Sequence, residues 1–536
     1  YPVFSGAIGM TYEQGGGGAG GLAVINETSD TLTLYDRAIH HYTTGLSTVE
    51  TAAGNAAKLV TEFQNFYKSS AANANDYKAY IIKNNAADAG RIYALLDLFK
   101  KNKIEFGTAN NATARGFSYN SGKEENFSIA DGDIVISAAQ QKGTLLKVLF
   151  EPQTKLADSA TYDITAWAMP YVYGVQAYAT RQAVSTSGNT PATAVNNSLP
   201  DAYGYAIPWH GVQSVKLVSA LLQKGIKLRV GEQPFTTGNK QFERGAVIVL
   251  KTSNQYVPHL WDTVRQLANK FSIQLSTVAT GFVDKGYDFG SDYVKPLLQR
   301  RVAMLTGEGV SSLGAGEVWH FFEQVIDYPI TLINANDAGN VNWSNYDVLI
   351  MPDGNYRFLN DKPQTDALKS WVQGGGKLIA LERAVTQLAK QDWSIKLKKA
   401  DETDSKDVYA PLRKYEDRER DEIPNITPGS IFRVELDNTH PLAFGFPKYY
   451  YTLKQDDAIY DFIKEDGWNV GVIKKEKQVA GFVGSKLQNR LQDGLLFGVQ
   501  NLGRGTITYL ADDVLFRSFW ENGKLLFSNA VFMVGQ

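Results

Sequence analysis

The sequence predicts an α/β protein of several domains, and three observations predict it. Helix-period and strand-like segments alternate along most of the chain, one strand–helix–strand pattern occurs twice, and a third series of strand-like apolar runs separated by helices begins at Arg301. With 536 residues, 43% of them apolar and 12% aromatic, the chain has the material for several cores. Its length suggests roughly three to four domains.

Residues 1–70 read as a strand followed by a long helix. Residues 6–13 (GAIGMTYE) have the Ile, Met and Tyr content of a short buried strand and run into a glycine-rich turn over 15–21. From Thr31 to Tyr67, the residues Leu34, Ile39, Tyr42, Val49, Leu59, Phe63 and Phe66 are spaced for one helix, with Thr28, Ser29 or Asp30 available as its cap. Residues 71–184 carry the first α/β repeat: a strand over 80–82, a helix with Ile92, Leu95, Leu96 and Phe99 on one face, and a strand over 104–106. Residues 201–296 repeat that order with a strand at 205–207, a helix containing Val215, Val218, Leu221 and Leu222, and a strand at 226–230. Downstream, 127–136 (FSIADGDIVI) and 242–249 (FERGAVIV) match as an aromatic, a polar turn with glycine, and a β-branched strand. Each copy reads as a βαβ unit. The aromatic segment 145–179, broken by Pro152, Pro170 and Gly174, is expected to wrap across both copies, and 185–200 to be an exposed linker.

Residues 297–536 form the third unit. Strands are expected at 302–306, 330–333, 348–351 and 377–381, with helices at 318–326 and 365–372, the latter stopping at three glycines. That alternation makes a doubly wound parallel sheet the default architecture. A mixed-charge stretch near 396–424 reads as a solvated insertion, and order resumes near Ile431.

Composition removes several classes. A net charge of -2 gives no basic face for a phosphate backbone, so nucleic acid is not an expected partner. Zero cysteines exclude disulfides, thiolate metal sites and a thiol nucleophile. No run approaches the ~20 apolar residues of a membrane span, so no transmembrane segment is expected. The richness in Asn, Ser, Thr, Gly and Tyr suits a periplasmic or extracellular bacterial protein, and Tyr1 reads as an internal point of a longer chain. Gly16, Gly18 and Gly21 satisfy the dinucleotide spacing, but an apolar strand-like run follows instead of a capped helix, so they read as a turn. His320 and Glu323 have a His-x-x-Glu spacing with His440 far downstream; Phe321, Phe322, Val325 and Ile326 around them are core residues, so the pair reads as coincidence. His40 and His41 read as helix-surface residues.

Residues 6–16 resemble the final catalytic strand of carboxypeptidase A-type zinc peptidases, in which a glutamate stands at the strand end beside the metal. The resemblance makes residues 1–70 the C-terminal remnant of such a domain and Glu13 its general base, taking a proton from a zinc-bound water. That family's zinc ligands precede the glutamate, and no His lies among residues 1–12. The expectation is therefore zinc in an intact parent with an N-terminal peptidase domain, and an inactive, metal-free chain here. Residues 302–381 with 494–535 resemble the class I glutamine amidotransferase-like fold, carried by Met351, Pro352, Asp353, Gly354, by the elbow Ala380, Leu381, Glu382, Arg383, and by the closing run with Asp512 and Asp513. Active members carry a cysteine at the elbow; this chain has none, so covalent amide chemistry is excluded and Glu382 and Arg383 remain as lining of a small-ligand pocket or as an ion pair. Segments 149–174 and 438–445 extend the likeness to bacterial peptidases in which such a region follows the carboxypeptidase domain. The resemblance implies a secreted metallocarboxypeptidase acting on peptide or protein substrates. The alternative is a non-catalytic binding or scaffolding module of a cell-envelope assembly, with an envelope protein as partner.

Overall fold

The computed structural model describes residues 2–13, 21–26, 28–72, 75–187, 195–391, 393–399, 412, 414–418, 420–475 and 477–536. The molecule is mixed α/β: among the described residues its strands form sheets of ten, six and five strands and two small hairpins.

The N-terminal arm holds the hairpin β1 (Ala23–Ile25) and β2 (Thr31–Thr33), then α1 (Leu34–Gly54) and α2 (Ala56–Ala71). Three expectations are corrected here. Residues 6–13 are not a buried strand: after a 3-10 turn at Pro2–Ser5 they run extended over α1 and α2, with Ile8 68% and Met10 58% exposed, because no described strand lies beside them. The single helix over 31–67 is two helices, broken where Gly54 and Asn55 adjoin, the first a weak helix former and the second a competitor for backbone bonds. The cap is Thr33, not Thr28, Ser29 or Asp30; its hydroxyl accepts from Asp36 N–H at 3.1 Å while the Asp36 carboxylate accepts from Thr33 N–H at 3.1 Å, a reciprocal capping box. The arm is tied down at its far end, where Ser70 Oγ accepts from Thr144 N–H at 2.9 Å and Tyr67 OH donates to Ser5 O at 3.1 Å.

The six-stranded sheet contains β3 (Ala79–Ile82), α3 (Ala89–Asn102), β4 (Gly107–Thr108), β5 (Ala112–Ser118), β6 (Lys123–Ile129), β7 (Ile134–Ser137), α4 (Gly143–Phe150), α5 (Met169–Tyr173) and β8 (Ala177–Thr180), in the strand order β4-β7-β3-β8-β5-β6. The five-stranded sheet follows with β9 (Gly204–Ile207), α6 (Val212–Gln223), β10 (Leu228–Gly231), the separate hairpin β11 (Phe235–Thr237) and β12 (Lys240–Phe242), then β13 (Val247–Leu250), α7 (Leu260–Lys270), β14 (Ser276–Val278) and β15 (Val294–Leu297), ordered β14-β9-β13-β10-β15.

The two sheets share a motif. In each, the strands flanking the helix are separated by a third strand antiparallel to both, giving β4-β7-β3 and β10-β13-β9. A plain parallel βαβ unit is therefore corrected to a split one, and the intruding strand is the glycine-turn segment that matches between the copies. Its direction is not written in its residues, since Ile134–Ser137 and Val247–Leu250 are apolar runs without alternation. The segment 145–179 supplies α4, α5 and β8 to the first sheet instead of only wrapping over it. Of the expected linker, 188–194 lies outside the described residues, but Asn196 is fully buried: its N–H and Nδ2 donate to Asn269 Oδ1 at 2.7 and 2.9 Å. The helices α3 and α6 meet at Gly90 and Gly211, where a Cβ on either would stand 3.0–3.1 Å from the other's Cα.

The ten-stranded sheet comprises β16 (Val302–Thr306), α8 (Ser312–His320), β17 (Ile330–Asn334), β18 (Val348–Met351), α9 (Lys362–Gln373), β19 (Lys377–Leu381), α10 (Arg383–Ala389), β20 (Ser430–Leu436), β21 (Tyr449–Lys454), β22 (Gly467–Ile473), β23 (Gln478–Ala480), α11 (Ser485–Leu491), β24 (Gly494–Leu502), β25 (Gly505–Leu510) and α12 (Glu521–Phe532). Strands β17-β16-β18-β19-β25 are parallel, and β24, β22, β20 and β21 continue the sheet antiparallel. The expected parallel sheet is thus present as one half of a larger sheet, whose other half is antiparallel. Helix α8 starts earlier than the expected 318, because Ser311 Oγ caps it by accepting from Gly314 N–H at 3.3 Å, and a wider turn at Phe321–Val325 completes it. Within the expected insertion, 400–411, 413 and 419 lie outside the described residues, while Arg420 pairs with Asp158 at 2.7 Å.

Helix α12 holds these parts together. Every residue from Asn522 to Phe532 is buried, and the helix packs against α3, α5 and α6 on one side and β19 and β21 on the other. Asn529 accepts from Trp209 Nε1 at 2.8 Å and donates to the carbonyls of Leu442 and Phe444 at 3.0 and 2.8 Å. That gives the 438–445 motif a structural task.

Candidate functional site

Glu13 lies exposed at the end of the extended segment, one residue past Tyr12, whose hydroxyl stands 2.7 Å from Thr48 Oγ1 on α1. The glycines that follow it lie outside the described residues, Gly21 excepted. A groove of about 1420 Å³ runs between this segment and the two helices, lined by Ile8, Met10, Tyr12, Thr48, Leu59 and Phe63 among others. The opposite face of α1 carries Tyr35, Ile39, Tyr42, Leu46 and Val49, separated by four, three, four and three residues and 72%, 42%, 66%, 44% and 67% exposed. That 3.5-residue period is the seam with which a helix packs lengthwise on another surface. No residue of α1 is buried. His40 and His41 are exposed beside the seam.

The other metal-type pattern is not gathered into a site. Glu323 is exposed, and His440 is buried, its Nδ1 accepting from Leu442 N–H at 3.1 Å to cap the turn Pro441–Ala443. Burial pushes the His440 imidazole down to about 4, so it is neutral at physiological pH. Among the described residues no group of three His, Asp or Glu is arranged to hold a metal ion.

The chemistry concentrates instead at the C-terminal ends of the parallel strands, where open α/β sheets bind ligands. Glu382 is the turn between β19 and α10 and holds φ 48°, ψ -119°, a conformation that L-residues adopt at a cost on the order of 1–3 kcal/mol. The turn is fastened by Glu382 N–H donating to Leu510 O at 2.9 Å. Arg383 does not pair with Glu382. It forks onto Asp353, at the end of β18, with Nε and a terminal nitrogen donating at 2.7 and 2.5 Å.

Around this turn nearly every acid has a partner. Lys454, fully buried at the end of β21, donates to Asp512 at 2.8 Å and to Asp456, and Thr452 Oγ1 donates to Asp512 at 2.6 Å. Burial opposes the Lys454 charge, but Asp456 and Asp512 overcome it and hold the ammonium protonated. Asp457 pairs with Arg490, Glu317 accepts from Arg517 N–H at 2.6 Å, and Asp513 accepts from Leu515 N–H at 2.9 Å. Burial, then the charges of Glu382 and Glu317, lift the Asp513 carboxyl well above the carboxylate range.

Glu382 is the exception. Its carboxyl accepts no hydrogen bond from a described residue, and Arg383, whose charge it feels, is held by Asp353. Burial first, then Asp353, Glu317, Asp456 and Asp512, push it up to about 8. It faces a cleft of about 670 Å³ lined also by Asp353, Thr386, Lys390, Asp456 and Ile459. Sequence reasoning places Glu382 and Arg383 at this turn but misses Lys454, Asp456 and Glu317, which come from strands and helices remote in the chain.

No protein-family model matches the sequence, and no curated protein matches it. Solved structures similar to part of the chain include a ThuA-like protein of Bacteroides uniformis, 15% identical over 46% of this chain and 94% of that one with a TM-score of 0.29. A glutamine amidotransferase of Thermotoga maritima is 10% identical over 44% of this chain and 96% of that one, TM-score 0.28. A GMP synthase protein of Thermoplasma acidophilum is 8% identical over 43% and 92%, TM-score 0.28. Each covers less than half of this chain, and none of the three is a carboxypeptidase.

Proposed function

We propose that this chain is the accessory region of a secreted zinc metallocarboxypeptidase-type protein, inactive by itself, whose peptidase domain seats on the exposed seam of α1. The carrying observation is that seam: five large apolar side chains at a packing period, with no described residue of the chain covering them. In this reading Glu13, held beside α1, serves as general base once a zinc bound by residues outside this polypeptide has lowered the pKa of a water. The region from 297 on is a class I amidotransferase-like domain without a nucleophile, and its role is binding.

Extending the polypeptide upstream of Tyr1 tests the proposal. Stoichiometric zinc, release of C-terminal residues from peptides, and loss of turnover by several orders of magnitude in Glu13→Gln with zinc retained are the expected results. Upstream sequence without a His-x-x-Glu pair and a further His, or full turnover in Glu13→Gln, overturns it. The second reading, a binding module for an envelope assembly, is favoured by Tyr162 and Tyr256, exposed at 97% and 96%.

A further inference from the structure

Strand β19 is buried along its whole length, yet its first residue is a lysine. We propose that Lys377 is a carboxylation site, whose Nζ takes up carbon dioxide and is held as a carbamate by Thr506 and Arg300.

Three unpartnered polar atoms carry this. Lys377 is 3% exposed, in a strand where an apolar side chain would meet the packing, and its Nζ has no partner among the described residues. Thr506, its register partner on β25, is 7% exposed, and its Oγ1 is also buried without a partner. Arg300, whose charge reaches Lys377, donates from a terminal nitrogen to Gln536 Oε1 at 2.9 Å, while its buried Nε donates to nothing described. Buried polar groups are ordinarily satisfied, so three orphans gathered at one end of the sheet call for a group that completes them all. The acid whose charge Lys377 also feels, Asp347, is already occupied: Arg301 donates to it from its backbone N–H at 2.8 Å and from its side chain at 2.8 and 3.2 Å.

This setting favours an uncharged amine over an ammonium. Burial first, then the Arg300 charge, hold Lys377 well below the ordinary lysine pKa, and the uncharged amine is the nucleophilic form. In the step itself the Nζ lone pair attacks the carbon of carbon dioxide, an N–C bond forms as one C–O π bond opens into a carboxylate oxygen, and the nitrogen releases one proton to water. No oxidant, reductant or further reactant is needed. The product is an anion with two acceptor oxygens, which the Thr506 hydroxyl and the Arg300 Nε–H are placed to bond, and its charge offsets that of Arg300. Space is available at Gly535, where a carbon at the Cβ position would stand 3.4 Å from both Lys377 Cε and Thr506 Oγ1, with nothing closer. A cavity of about 350 Å³ lined by Thr506, Gly535 and Gln536 opens beside them and gives a small apolar gas a way in.

The test is carbon-13 NMR of the full chain in carbon-13 bicarbonate buffer, with melting in bicarbonate against chloride at equal ionic strength. Expected are a carbamate carbonyl resonance stoichiometric with the chain and absent from Lys377→Met, and a higher Tm in bicarbonate for the parent but not for that variant. In Thr506→Val, which keeps the shape and removes the hydroxyl, the bicarbonate needed for half-occupancy should rise about fivefold. Where Lys377→Met does not fold, alkylation of the parent's carbamate to its ester and peptide mapping assign the label, which should fall on Lys377. No carbamate resonance, one that persists in a folded Lys377→Met protein, or label on other amines alone overturns the site. A rise in Tm without a carbamate resonance identifies an anion bound non-covalently and overturns it equally.

Discussion

Helices α1 and α12 are built from similar stocks of apolar residues and meet opposite fates. In α12 every side chain from Asn522 to Phe532 is buried, Phe527 lying edge-on to Phe321 and Phe322 at 5.2 and 6.1 Å, whereas α1 buries none of its residues. The difference is not one of helix quality, since α1 has the better cap. It teaches that a regular apolar period specifies that a helix will pack, but the rest of the chain decides whether a partner exists.

The largest expected effect tests the buried side. Phe527→Ala removes a ring from the junction of α12 with α8 and its following turn, and should lower the unfolding free energy by about 3–5 kcal/mol in urea titration. A cost below about 1 kcal/mol would mean that α12 is not the joint between the sheets. Next is Thr33→Ala, which breaks the reciprocal cap of α1 at a cost of about 1 kcal/mol, read as faster amide exchange in the first turns of α1 and not as a change in global melting.

A third measurement concerns Glu382, the carboxyl of the turn between β19 and α10. Glu382 titrates near 4.5 in an unfolded chain and about 8 in the folded one, so between those values the folded state holds more protons and stability falls as pH rises. Glu382→Gln should remove that part of the slope, gaining on the parent at about pH 8 relative to about pH 5; an unchanged difference in Tm between the two pH values would contradict the burial of this carboxyl. The smallest effect is expected on the open seam. Replacing Ile39 and Leu46 by Glu should change the stability of this chain by no more than about 0.5 kcal/mol per site while reducing its tendency to self-associate. A loss of about 2 kcal/mol or more would show that the seam is already packed and would erase the contrast.

The parallel half of the large sheet is legible in the sequence because Val302–Thr306, Val348–Met351 and Lys377–Leu381 are compact apolar runs bounded by Gly, Pro or Asp, and no other period competes. Strand direction in the repeats is not legible, since a strand buried on both faces carries no alternation to orient it. The elbow is legible at Glu382 through its place after β19. Lys454 is not: it ends the run YYYTLK, which reads as an ordinary strand, and its partner Asp512 lies 58 residues further on. A pairing made only by folding leaves no local trace. The strand expected at 6–13 fails for the complementary reason, because its composition suits a sheet that the described chain does not provide.

The meeting of Gly90 with Gly211 limits how the two copies of the split motif can diverge. A side chain at either position would reach the other helix's backbone at 3.0–3.1 Å, where no rotamer can relieve it. Loops and outer strands of the copies are free to differ, as the hairpin β11–β12, present in the second copy alone as a separate sheet, already does. This crossing is a shared constraint, and a lasting change at one glycine requires the facing backbone to give way by a few tenths of an ångström.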